Sequence, residues 1–178
     1  QDVRFNEGTI AEGRQLANKL FNASRLVLLR APEGVTVPER APAPAAIEDT
    51  WILSRLQAAK ADISGSITNF EFHRAARALY SFVYEDLCDW YLEMIKPRLY
   101  AQDNTEVAEI ALFVLAETLA MAHPIIPFVT EEIWTYLPGP RDLLMGHRYP
   151  VPDPALRNEA VEAEVRRAIE ATQALRAW

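Results

Sequence analysis

Apolar residues recur along this chain at helical spacing, in blocks that end at prolines, and no clean strand-like alternation separates the blocks. That pairing points to an all-α fold. The plainest block is Phe72, Ala76, Leu79, Val83, Leu87, Trp90 and Met94, one stripe of a helix that Pro97 is expected to end. An earlier helix is expected from near Thr9, an N-cap with Glu12 at its N3 position, to about Leu29, with Leu16, Leu20, Ala23 and Val27 on one side. Between them, Ile52, Leu56, Ala59, Ile63 and Ile67 predict a helix over Ile47 to about Thr68, with Gly65 obscuring its end. Residues 104–123 are apolar around most of a helix, which places that helix mid-bundle, and Pro124 stops it. A shorter fifth helix starts near Pro127 or Thr130 and ends before Pro138.

Two segments break the pattern. Ala31 to about Ala46 carries Pro32, Pro38, Pro42 and Pro44 among alanines, as an extended, semi-rigid linker would. Pro138 to Pro154 holds five prolines and two glycines and reads as an irregular connection with one short strand around Leu143 to Met145. Helix resumes from Pro154 to Trp178 with charges of both signs. The expected architecture is therefore an antiparallel bundle of about five helices over 1–138. Residues 139–178 add a proline-rich connection and a C-terminal helix leading toward a further region.

With 178 residues, half of them apolar, the chain can bury one proper core. Its longest apolar runs, such as Ile110 to Val114, fall far short of the ~18–20 residues needed to span a bilayer, and no signal-peptide pattern opens it. The lone Cys88 cannot form an internal disulfide, which suits a reducing cytoplasm, and is expected to be a buried structural thiol. No Met precedes Met94, so the chain reads as an excised piece of a longer protein. A net charge of −7 argues against coating nucleic acid by charge alone. The first thirty residues nevertheless carry Arg4, Arg14, Lys19, Arg25 and Arg30 against only Asp2, Glu7 and Glu12.

The common catalytic patterns are missing: no glycine-rich phosphate loop, no His-Glu-x-x-His, no paired Cys-x-x-Cys. His73, His123 and His147 have no ligand-spaced partners, so no metal site is expected, and His123 is read as capping helix carbonyls before Pro124. Glu85, Asp89 and Glu93 share a helix face with Asp86 beside them; a solvated face, or a seat for arginines of a neighbouring helix, explains them better than acid–base chemistry. The first helix is the informative one. Arg14, Asn18, Asn22 and Arg25 fall in a strip about 80° wide opposite its apolar face, with Lys19 further round and Phe21 at the border. Cations and amides can meet phosphates and base edges, and an aromatic can stack on an unpaired base.

Four strings add a resemblance. Asn18-Lys19-Leu20-Phe21-Asn22-Ala23-Ser24-Arg25, Asp49-Thr50-Trp51-Ile52-Leu53-Ser54-Arg55-Leu56, the segment from Ala75 to Leu99 including Cys88-Asp89-Trp90-Tyr91-Leu92-Glu93, and Ala122-His123-Pro124-Ile125-Ile126-Pro127-Phe128-Val129-Thr130-Glu131-Glu132-Ile133-Trp134 follow one another in order. Together they resemble the anticodon-binding domain of class I aminoacyl-tRNA synthetases for branched aliphatic amino acids. Cys88 to Glu93 points to the bacterial-type valyl family over the isoleucyl one, and Gln1-Asp2-Val3-Arg4-Phe5 resembles the segment just after the second ATP-binding signature. Two positions depart from the pattern: Phe21 where tryptophan is usual, and Leu26 where phenylalanine is common.

The resemblance implies tRNA-Val anticodon stem-loop recognition by a monomeric cytoplasmic valine–tRNA ligase, with the catalytic body of the same polypeptide as partner. No cofactor is implied for this piece, whereas the full-length ATP-dependent enzyme would need ATP and magnesium. The ATP-binding signatures and editing residues are not in these 178 residues, so this piece is not expected to activate valine. Most matched residues, among them Trp51, Leu79, Phe82, Trp90, Tyr91, Ile126 and Trp134, are expected to be bundle core. The expected RNA contacts are Arg14, Lys19 and Arg25 to phosphates, Asn18 and Asn22 to base edges or ribose, and Phe21 to a splayed base. Lys96 and Arg98 are expected to flank the cleft. The alternatives are an isoleucyl domain or a helical protein-interaction module.

Overall fold

The computed structural model describes residues 7–178, with side chains from residue 13 onward. Among the described residues there are six helices and no strand, so the all-α expectation holds. The opening Gln1-to-Phe5 string and the Thr9–Glu12 capping pair lie outside the described residues and side chains. Helix α1 spans Glu7–Arg30, beginning two residues ahead of Thr9. Leu16, Leu20, Ala23 and Val27 are its buried side, as their spacing requires.

Helix α2 occupies Ile47–Thr68, and Asp49 starts it by accepting the Ala46 N–H at 3.1 Å. It ends in a Schellman turn: Glu71 N–H donates to the Ser66 carbonyl at 2.8 Å and Phe70 N–H to that of Ile67 at 3.0 Å. The left-handed position of that turn, at φ 59°, is filled by Phe70 where glycine is usual. Its ring makes an edge-to-face pair with Phe72 at 6.1 Å.

Helix α3 runs over 72–99 and is not uniform. Ordinary α-helical turns at Phe72–Ser81 and Leu92–Leu99 flank a π-helical stretch at Phe82–Tyr91. There the i→i+5 bonding puts more residues into each turn than the 3.6 of an α-helix. The buried row of α3 advances by four residues at a time, through Leu79, Val83, Leu87, Tyr91, Ile95 and Leu99. The expected stripe is corrected at its ends: Phe72 is exposed, and Trp90 and Met94 are only partly buried. Pro97 does not end the helix either. It sits inside the last α-helical segment, which continues to Leu99.

Helix α4, Thr105–Ala122, is buried on nearly every side and forms the centre of the bundle. Before it, the Asn104 amide donates to the Arg30 carbonyl at 2.8 Å and the Leu99 carbonyl at 2.7 Å, tying the ends of α1 and α3 together. Helix α5 spans Pro127–Thr135. The expected strand around Leu143 to Met145 is replaced by one 3₁₀ turn at Leu144–Gly146. The Glu131 carboxylate takes the Leu144 N–H at 2.7 Å and the Met145 N–H at 3.1 Å, the donors a strand ladder would need.

Helix α6, Glu159–Arg176, is capped by the Asn158 side chain and lies along α2. Its anchor is Glu162, which accepts from Ser54 and from Arg55 at 3.3 Å, with Arg157 at 3.2 Å. The segment before it is held as well, Asn158 N–H donating to Ser54 Oγ and Asp153 N–H to Gln57, both at 2.8 Å. Among the described residues no helix is long and apolar enough to cross a membrane.

Candidate nucleic-acid interface

Burying Leu16, Leu20 and Val27 turns the opposite face of α1 outward, where Arg14, Asn18, Asn22 and Arg25 are all exposed. Phe21, 48 % exposed, borders this strip on one flank. On the other flank the surface drops into an open groove of about 540 Å³ between α1, α3 and α6. Lys19, Asn22, Ala23 and Leu26 line its α1 wall, Cys88 to Trp90 with Leu92 and Glu93 its floor, and Gln173 and Arg176 its far wall. The structure thus joins Asn22 of the strip and the neighbouring Lys19 to groups some 70 and 150 positions away.

Lys19 projects from α1 to Asp89, with Nζ 2.7 Å from Oδ1 and 5.0 Å from the centre of the Tyr84 ring. Tyr84 itself stacks on Tyr80 at 4.1 Å. The hydrogen bond to Asp89 raises the Lys19 ammonium above its ordinary range, so Lys19 itself stays charged beside that carboxylate. Cys88 is half-buried at the floor, and desolvation pushes its thiol up to about 12, which keeps it neutral. Across the groove, the Arg176 guanidinium sits over the Trp90 indole at 5.7 Å.

The two basic residues expected at the end of α3 part company. Lys96 bonds Glu93, a groove residue, at 2.5 Å and so stands beside the groove without lining it. Arg98 turns toward the start of α2, where its two terminal nitrogens each meet a carboxylate at 2.8 Å, Glu48 and the fully buried Asp49. Those hydrogen bonds, Asp49's first, hold the Arg98 guanidinium well above its ordinary range. The Tyr91 hydroxyl adds a third donor to Asp49 at 3.3 Å. Arg98 is therefore held at the α2–α3 corner and does not line the groove.

None of the three histidines lines the groove. His73 meets Arg77 at 3.0 Å, and His147 packs on Trp134. His123 bonds the Thr130 hydroxyl at 2.9 Å instead of capping carbonyls with its ring. The groove residues that escaped sequence reasoning are Trp90, read as core, and Gln173 and Arg176, which carry no local signal at all. Helix periodicity locates a polar strip, but only the docking of α6 decides what faces it.

Residues 49–178 match the family model described as the anticodon-binding domain of tRNA ligase. This chain belongs to that family. Relatives span it almost completely. The valine–tRNA ligase of Latilactobacillus sakei is 36 % identical over 181 residues, covering 99 % of this chain and 20 % of that protein. For Lactiplantibacillus plantarum the figures are 37 % over 183 residues, 99 % and 20 %, and for Geobacillus stearothermophilus 34 % over 180 residues, 99 % and 20 %. The chain thus spans about a fifth of the length of the curated relatives it matches. Among solved structures, the Agrobacterium radiobacter K84 LeuRS in its ternary complex with tRNA and LeuAMS superposes with a TM-score of 0.67 at 16 % identity, covering 88 % of this chain and 18 % of that one. At that identity the likeness concerns the fold. The α3 and α6 sides of the groove lie within the matched residues, and the α1 strip precedes them.

Proposed function

We propose that this domain serves a valine–tRNA ligase and grips the anticodon stem-loop of tRNA-Val along the exposed face of α1. The observation that carries the reading is the junction at Lys19 and Asn22, where an outward polar helix face opens into a groove with an indole beside it. Arg14, Lys19 and Arg25 meet loop phosphates, Asn18 and Asn22 meet base edges or ribose, and Phe21 supports a splayed base. Lys96 stands beside the groove, while Arg98 acts through the α2–α3 corner and not on RNA. The expected targets are the adenine and cytosine that valine anticodons share at their second and third positions.

The rest of the activity belongs to a longer polypeptide. ATP, magnesium and the activation of valine are proposed for the catalytic body joined to this domain, acting as a monomer in the cytoplasm. The lone Cys88 suits that reducing setting. Titrating the tRNA-Val anticodon stem-loop into this chain, against a scrambled RNA of equal length, tests the reading. Binding is expected to favour the stem-loop and to weaken with added salt, because phosphate contacts release counterions. Unchanged affinity in the double variant Arg25→Ala, Asn22→Ala would sink the α1 assignment.

A further inference from the structure

The groove has a third wall that the α1 reading does not use. It comes from the last turns of α6, where Gln173 and Arg176 face Trp90. Three arginine–aromatic pairs are formed in the described residues: Arg30 over Tyr100 at 4.1 Å, Arg141 over Trp134 at 4.7 Å, and Arg176 over Trp90 at 5.7 Å. The last is the most widely spaced, near the ~6 Å limit at which such contacts count, and it opens onto the groove. No carboxylate among the described residues lies within ion-pair distance of Arg176, whereas Arg55, Arg98 and Arg157 are each held by one or more.

Trp90 is also unlike the two tryptophans of the core. Trp51 and Trp134 are buried, whereas Trp90 is only partly buried and gives its remaining surface to the groove. The anchoring of α6 is one-sided in the same sense. Glu162 and Val165 are buried near its start, but from Arg166 onward only Ile169 and Thr172 are even partly covered. Its first turns are held by buried side chains, and its last turns meet the rest of the molecule mainly through Arg176 over Trp90.

The geometry points to a clamp: Trp90 and Arg176 receive one unpaired nucleobase of the bound RNA between indole and guanidinium, making α6 part of the recognition surface. This rests on the reading of α1 as an RNA-binding face. An indole stacks on any base, and a planar guanidinium can stack on the other side while keeping its charge for a phosphate. The clamp therefore positions a base more than it identifies one. The groove's volume, about 540 Å³, lies within the ~300–1,000 Å³ usual for small-ligand sites.

The test uses the 178-residue chain and the tRNA-Val anticodon stem-loop, with each loop nucleotide in turn made abasic. One abasic position is expected to weaken wild-type binding about tenfold, the order expected of one stacked base. In Arg176→Ala the intact RNA should bind about tenfold more weakly, and the same abasic position should then cost less than twofold more. Arg176→Lys, which keeps the charge but not the plane, is expected to lose nearly as much. Asn22→Ala should instead weaken the intact RNA and the RNA abasic at the clamped position equally.

If Arg176→Ala binds within twofold of wild type while Asn22→Ala and Arg25→Ala weaken binding, the clamp is overturned and the α1 reading survives. If Arg176→Ala weakens binding but no abasic position couples to it, Arg176 is a charge contact and the clamp is again overturned. If the wild-type chain does not prefer the stem-loop over scrambled RNA, both readings fall together.

Discussion

Helix α3 carries two ion-pair clusters three residues apart that meet opposite fates. Asp86 faces α2 and α6, bonds Arg55 at 3.0 Å, and shares that arginine with Glu162. Asp89 faces the groove and bonds Lys19 alone, at 2.7 Å. The side chains of Asp86 and Glu162 are 15 % and 7 % exposed, against 53 % for Asp89 and 34 % for Lys19. Burial raises the Asp86 carboxyl above the usual carboxylate range, with Arg55 pulling the other way. Around Glu162, Ser54, Arg55 and Arg157 supply donors, so the cluster is closed and can only hold helices together. At Lys19 the ammonium keeps a solvated side that faces the groove. Similar residue types thus build structure where their partners surround them and leave a binding face where they do not.

The sharpest way to break that contrast is to remove the hub of the closed cluster. Glu162→Ala strips an acceptor from Ser54, Arg55 and Arg157 and leaves cationic groups against a buried surface. Losing one partner of a buried pair typically costs several kcal/mol; about 3 kcal/mol is expected here, or roughly 6–12 °C in Tm for a chain of this size. Thermal unfolding followed by circular dichroism measures it. A fall of under 1 °C would mean that the cluster is no more structural than the exposed pair.

Arg98 sharpens the same contrast from a position that its charge alone assigns to the RNA. Its guanidinium is the main partner of Asp49, which is fully buried. Arg98→Ala leaves Asp49 with only the Tyr91 hydroxyl and the Ala46 N–H. A loss of about 2 kcal/mol is expected, roughly 4–8 °C in Tm. Stem-loop affinity, measured well below the midpoint, is expected to stay within twofold. A large loss of affinity with unchanged Tm would return Arg98 to the interface.

How much of this was legible in the sequence depends on the range of the interaction responsible. Helix α4 could be read directly, because a helix apolar on nearly every side has nowhere to go but the centre. Helix α2 could be bounded because prolines precede it. The π-helical stretch of α3 could not, since its apolar row of Leu79, Val83, Leu87 and Tyr91 has a spacing that an ordinary α-helix also shows. The 3₁₀ turn at Leu144–Gly146 hinges on Glu131, thirteen residues upstream, whose carboxylate is invisible to a strand pattern. The candidate site divides in the same way. The outward strip of α1 follows from periodicity, but its groove needs α6 to dock through Glu162 onto residues more than a hundred positions earlier. Sequence displays a charge; only the fold shows whether it is already spent.

The smallest expected effect on stability comes from the open pair, and it separates the two clusters most cleanly. Asp89→Asn removes the carboxylate that, among the described residues, holds Lys19, yet both groups reach water. Exposed pairs contribute little, so stability is expected to change by no more than about 0.5 kcal/mol. RNA affinity should move in the favourable direction, because an anion beside the phosphate path is lost and the Lys19 ammonium is released. A gain of about threefold is expected at low salt, shrinking as ionic strength rises and the Debye length shortens. Titrations of the stem-loop at two salt concentrations measure both the gain and its decay. A loss of affinity would instead make Asp89 a contact of the bound RNA or the residue that holds Lys19 in its binding pose. The groove would then be a preformed polar site, with the open pair as fully committed as the closed one.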